Sequence, residues 1–319
     1  MDQERLFAHK QANALQSVLL LATLAGLLGL LAWIIGGGGF ALLALAMVGV
    51  LFVTNPAASP RLVTMLYPGR ELHPSEAPRQ FVILSELARR AGLPRVPRLY
   101  YIPSRVMNAF ATGSRDDALL AISDGLLRGL DLREQAGVLA HEISHVANGD
   151  LAVMAFADLV SRVASVLGLM GQILLVLSLP AALLAGAPVP WLALVILLAA
   201  PTVSALVQLA LSRTREFEAD RSAAALTGDP AGLASALDRL ERHQGRFWER
   251  ILMPGRRAPD PSLLRTHPDT AERIERLLEL VPRRPAAHAA LDLEGPALID
   301  VLTHRRPGRP RHHVHGLWY

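Results

Sequence analysis

The 319-residue chain contains no cysteine. Disulfides and thiolate ligands are therefore excluded, and any metal ion must be held by histidine and carboxylate. Lysine is almost missing too, with Lys10 the only one, a scarcity that carries no information about mechanism. Only 19% of the residues are charged against 51% hydrophobic, and the shortage is local: no charge occurs in residues 11–60 or in residues 163–212. Blanks of that length exclude an ordinary water-soluble chain. A membrane-crossing helix needs about 20 apolar residues, so each blank holds two spans joined by a tight turn.

The predicted spans lie near residues 14–35, 39–55, 163–184 and 191–211, turning at residues 36–39 and 185–190. The first apolar run is longer than a signal-peptide core and is followed at once by a second span, so it reads as a retained anchor. Pro180 and Pro201 weaken the second pair as spans without excluding it, because proline is tolerated in membrane helices. Positive residues fix the orientation. Arg5 and Lys10 precede the first span, Arg61, Arg70 and Arg79 follow the second, and Arg213, Arg215 and Arg221 follow the fourth, while both turns carry none. Both termini and the polar segments are thus expected on the cytoplasmic side. Aromatic residues make up only 5%, and no basic module interleaved with them is present. The net charge of +4 therefore points to the lipid bilayer as a partner, with no nucleic acid.

What is present centres on residues 137–151, GVLAHEISHVANGDL. Residues four apart on a helix share a face, so His141 and His145 can aim ring nitrogens at one ion, with Glu142 beside it. That is the pattern of a hydrolytic zinc site: two imidazoles, an open position for water, and a carboxylate to take the water's proton. Asp131 and Glu134 form a capping-box start, Leu132, Ala136, Leu139 and Ile143 recur at helical spacing, and Gly149 offers a stop. The competing reading is a buried helix whose histidines are satisfied by neighbouring carbonyls.

Upstream, residues 75–91 read as an amphipathic helix, and residues 98–102, 107–112 and 118–122 as three short strands. A sheet beside the metal helix offers an edge to which a substrate peptide can add. Asn108, in NAFATG, either clamps a substrate amide or simply forms a turn. A short helix over residues 123–130 leads into the metal helix. After the fourth span comes SRTREFEADRSAA, where Glu216 and Asp220 share a face and Glu218 points elsewhere. That face can supply a third ligand at Glu216, with Asp220 behind it orienting a ligand histidine or pairing with an arginine. The alternative is a solvated charged turn at the membrane surface. Helices follow over residues 216–226, 231–243 and 270–280. His267 precedes the last of these and Arg273 lies on its first turn. His312, His313 and His315 sit in a Pro/Arg-rich tail expected to be mobile.

NAFATG, HEISHVANGDL, SRTREFEADRSAA and HPDTAERI, in this order and with two hydrophobic hairpins in these places, closely resemble the HtpX-type membrane zinc metalloproteases, relatives of the CAAX prenyl proteases. The resemblance covers roughly residues 1–280. It implies a mainly α chain with a small β-sheet, an α+β zincin-like protease domain joined to four transmembrane helices. It also implies one Zn2+ per chain and cleavage of unfolded or membrane polypeptides for quality control at the bacterial inner membrane. Carried over residue by residue, it assigns zinc ligation to His141, His145 and Glu216 and catalysis to Glu142. It adds Asn108, Asp220, His267 and Arg273 to the site, with His267 or Arg273 on the oxyanion. The expected organisation is a membrane hairpin over 1–60, protease segments over 61–162 and 213–282 around a second hairpin over 163–212, and a tail over 283–319. The rival functions are an intramembrane protease of the site-2 type and a non-enzymatic scaffold closed by structural zinc.

Overall fold

The computed structural model describes residues 3–54, 60, 64–65, 67–185, 191–251 and 270–281. It is mostly helical with one small mixed sheet. Helix α1 (Gln3–Thr54) is followed by strand β1 (Arg70–Glu71) and helix α2 (Pro78–Arg90). Strands β2 (Arg98–Ile102), β3 (Ala109–Gly113) and β4 (Ala118–Ser123) come next. Then follow α3 (Asp124–Gly129), α4 (Leu132–Asn148), α5 (Asp150–Ala185), α6 (Trp191–Thr227), α7 (Pro230–Ile251) and α8 (Thr270–Glu279).

The sheet order is β1-β2-β4-β3. Three of its strands match the expected ones within two residues. The fourth, β1, is only two residues long and pairs antiparallel with β2 through Arg70 and Glu71. A strand that short has no alternation to read, which is why the sequence does not announce it. β2 and β4 are parallel, and β3 runs antiparallel to β4 at the open edge.

One core joins segments far apart in sequence. Leu84 and Leu87 of α2, Leu99, Leu120 and Ile122 of the sheet, and Leu139 and Ile143 of α4 pack with Ala223 of α6, Leu233 and Ala236 of α7 and Leu277 of α8. Each of the leucines at 0–1% exposure stabilises the fold by about 1.5–3 kcal/mol. The core permits α4 and α7 to cross closely only because residue 137 is glycine: a Cβ there would stand 2.9 Å from the Leu233 backbone.

Among the described residues three helical stretches, Leu15–Val50, Asp150–Pro180 and Trp191–Thr227, are long and apolar enough to cross a membrane. The expected count was four. The first stretch is interrupted at Gly37 (φ 73, ψ −166), a conformation open almost only to glycine. Past that point the chain folds back, since a Cβ at Gly29 would stand 3.5 Å from the Leu45 side chain although a straight helix would part the two residues by about 24 Å. Leu24 and Leu28 of α1 pack on Phe156, Ala157 and Val160 of α5 and Leu211 of α6, and Gly171 admits Leu197 into the α5–α6 seam. Leu42, Leu177 and Leu192, all more than 70% exposed, are left on the outside.

Two connections tie this apolar bundle to the sheet side. A single left-handed residue, Gly149 (φ 73, ψ 17), separates α4 from α5. Helix α6, 37 residues in all and about 55 Å long at the helical rise, runs on past the end of the charge-free run at Ser212 and so carries Glu216 and Asp220 up to α4.

Candidate metal and catalytic site

The register of α4 is set at its first turn. The Asp131 side chain accepts the Glu134 N–H (2.9 Å) while the Glu134 carboxylate accepts the Asp131 N–H (3.0 Å). From there His141 and His145 project from one face, their rings at 88° and their Nε2 atoms 3.1 Å apart. Helix α6 brings Glu216 against them, with Oε2 3.3 Å from His141 Nε2 and Oε1 3.6 Å from His145 Nε2. One ligand atom from each of the three lies within 4.8 Å of the others, and all three residues are buried.

Each ring is fixed from behind. His141 Nδ1 lies 2.9 Å from Asp220 Oδ1, and Asp220 is held by Arg273 through two bonds of 2.7 and 2.6 Å. Arg273 also reaches Glu216 Oε2 at 3.1 Å. His145 Nδ1 lies 2.9 Å from Asp150 Oδ2, whose other oxygen accepts from Arg215 at 2.9 Å. With each Nδ1 turned to a carboxylate, both Nε2 atoms face one another and Glu216. Two such nitrogens 3.1 Å apart beside a carboxylate need a cation between them, a proton on the ring or a metal ion in its place, so the donor set fits a divalent metal.

The electrostatics agree. Burial works against a charged His145, but the Asp150 and Glu216 carboxylates outweigh it and push its pKa up to about 10. His141 is likewise raised, burial being outweighed by Asp220 and Glu216. Burial also opposes the Arg273 charge, and the facing Asp220 overrides it, keeping the guanidinium protonated. The site thus attracts positive charge from three directions.

Glu142 points from α4 toward the sheet, where its Oε2 accepts the Ala111 N–H at 2.9 Å. Ser123 N–H donates to the Asn108 carbonyl, so in the antiparallel alternation Ala109, Ala111 and Gly113 turn their main-chain groups away from β4, to the open edge. Asn108 heads this edge, half-buried, its N–H donating to Ser123 Oγ at 2.9 Å. Glu218 is buried on another face, 3.7 Å from Arg221. His267 and the tail histidines His312, His313 and His315 lie outside the described residues.

Sequence reasoning missed Asp150, Arg215 and the Ala111 N–H. An aspartate opening an apolar helix five residues after a ligand histidine was a usable signal for Asp150. A main-chain donor leaves none.

A model of the family described as Peptidase family M48 matches residues 74–281, from just before α2 through α8. The chain belongs to peptidase family M48. It is therefore read as a metalloprotease with apolar, membrane-type helices. A "Protease HtpX homolog" from Acaryochloris marina is 37% identical over 284 residues, covering 82% of this chain and 96% of that protein. Another of the same name, from Paraburkholderia phytofirmans, is 34% identical over 290 residues, covering 84% of this chain and 97% of that one. The crystal structure of S. mikatae Ste24p aligns with a TM-score of 0.44 at 20% identity, covering 86% of this chain and 66% of that chain.

Proposed function

We propose that this member of the family is a zinc-dependent endopeptidase of the bacterial cytoplasmic membrane that cleaves unfolded or damaged membrane proteins, working at the cytoplasmic surface. The observation that carries the reading is the meeting of His141, His145 and Glu216 from two helices, with Glu142 and an open strand edge alongside. Bound zinc would supply Lewis acidity, lowering the pKa of a water and polarising a carbonyl. His141, His145 and Glu216 would hold the ion with three protein donors, fewer than the four that close a structural site, which favours a catalytic over a scaffolding role.

The remaining steps belong to the chain. A substrate lies along β3 as a further antiparallel strand, bonded by the outward main-chain groups of Ala109 and Gly113 and the carbonyl of Ala111, with Asn108 holding a substrate amide at the end of the edge. Glu142 takes the proton of the attacking water and returns it to the leaving amine. Its bond to Ala111 keeps the carboxylate oriented before substrate arrives. Asp220 and Asp150 fix the two rings, and Arg273, committed to Asp220 and Glu216, positions the ligands. His267 remains the candidate for the oxyanion.

Residues 61–162 and 213–282 act as two halves of one catalytic unit around the hairpin of residues 163–212, a division supported by their shared core. The reversal at Gly37 supports a first hairpin and hence four crossings in all. The placement of arginines supports cytoplasmic termini and site. Glu142→Gln is the direct test. Zinc should remain bound at one per chain by elemental analysis, while casein digestion falls by about 10²–10⁴-fold. Undiminished proteolysis in the zinc-loaded variant would remove Glu142 from its role.

A further inference from the structure

On the side of α6 away from the ligands lies a polar cavity of about 360 Å³, walled by α6, α8 and the first span of α1. Its floor, Gln16 and Ala210, belongs to the charge-free segments, whereas its walls carry Arg213, Arg221 and Arg276. The cavity therefore straddles the level at which α6 leaves its apolar run, at Ser212. Glu272 accepts from both Arg213 and Arg276, Glu218 faces Arg221, and the Arg276 guanidinium stacks 3.9 Å from the Phe217 ring centre. Three guanidiniums stand against two carboxylates, leaving one positive charge over among the lining residues. The catalytic reading gives none of these arginines a task.

We propose that this cavity binds the phosphate of an anionic phospholipid, a reading that rests on the membrane placement given above. A single phosphodiester matches the uncompensated charge, arginine forks suit phosphate oxygens, and the acyl chains have the adjoining apolar surface of α1 and α6 to follow. The site also bears on catalysis through one short helix. α8 offers Glu272 and Arg276 to the cavity and Arg273 to Asp220 and Glu216, so a bound headgroup steadies the same helix that braces the ligands.

The test uses the full-length, zinc-loaded Glu142→Gln protein in a nonionic detergent. Native mass spectrometry reads retention of added phosphatidylglycerol or phosphatidylcholine. Phosphatidylglycerol should be retained at least tenfold better. Arg221→Gln should weaken that retention about fivefold, equivalent to ~1 kcal/mol for one arginine at a membrane surface, and Arg221→Lys should restore most of it. Removing the competing carboxylate with Glu272→Gln should tighten it. Should Arg221→Gln not fold, Arg276→Gln carries the same expectation. Equal retention of the two lipids, or indifference to these substitutions, overturns the proposal. Displacement of the lipid by millimolar inorganic phosphate overturns the lipid assignment in favour of a free anion. The membrane placement fails separately, if the protein does not reconstitute into bilayers.

Discussion

Gly137 shows how much a single position on α4 decides. It sits mid-helix, where glycine costs about 1 kcal/mol relative to alanine, yet a methyl group there would press on the Leu233 backbone at 2.9 Å. Backbone cannot step aside as a flexible side chain can, so Gly137→Ala is expected to destabilise by about 1–3 kcal/mol despite its better helix propensity. A lowered midpoint of thermal unfolding in detergent checks this, and a raised one would show that the crossing is looser than described. Asp150 and Arg215 invite a second residue-scale experiment. Asp150→Asn keeps the size but weakens the acceptor for His145, and zinc affinity measured by chelator competition should fall about 10–100-fold. Arg215→Gln should weaken it less, acting through Asp150. A loss of activity with unchanged zinc affinity would mean that the pair serves something other than the ring.

The pH dependence follows from the same contacts. In the metal-free protein His145 has a folded pKa of about 10, above its ordinary 6.5. A raised folded pKa gives stability that is fully present below pH 6.5 and lost as pH climbs toward 10. Zinc requires the deprotonated ring, so its affinity moves oppositely, rising by about tenfold per pH unit for each proton displaced. Chelator competition between pH 6 and 8.5 should show that slope. A flat profile would place the proton elsewhere.

Among the elements, β3 and α6 do most to bring the chemistry together. β3 is an edge strand whose outward N–H at Ala111 is already engaged with Glu142. Ala111→Pro removes the donor to Glu142 and sets a ring against the edge where substrate would lie, and should raise KM and lower kcat together while leaving zinc content unchanged. A change confined to stability would argue that peptides do not add at this edge. The continuous α6 is the element that makes the site possible at all. A break after Ser212 would cut the rigid rod carrying Glu216 to α4, so two glycines inserted there should abolish zinc binding as measured by metal content.

At the scale of the whole molecule, membrane and catalytic parts are mechanically joined. The ligand helix runs into α5 through one residue, and the third ligand rides on α6, so the sheet side cannot reorient without moving the apolar bundle. Metal should therefore stabilise the entire fold: excess zinc over chelator should raise the unfolding midpoint, by free energy that grows as RT ln(1 + [L]/Kd). The absence of cysteine makes topology directly measurable. A single cysteine at the solvent-facing position 85 of α2 should react with an impermeant thiol reagent in inside-out vesicles and not in intact cells. The reverse pattern would turn the assigned orientation over.

The sequence alone determined everything that depends on short-range repetition or on a bulk property. Charge-free runs of fifty residues dictate apolar helices because an unpaired charge in hydrocarbon is too costly, and HExxH places two rings on one face because the α-helix repeats every 3.6 residues. Capping at Asp131 and the stop at Gly149 are local as well, and were legible. Only the tertiary structure decided what requires two distant segments to meet. The two-residue strand β1 exists because β2 offers it partners, Asp150 matters because Arg215 reaches it from 65 residues away, and Ala111 counts through its backbone alone. Such contacts leave no mark in the spacing of residues, since a side chain's partner across the core is chosen by how the helices pack and not by what stands next to it in the chain.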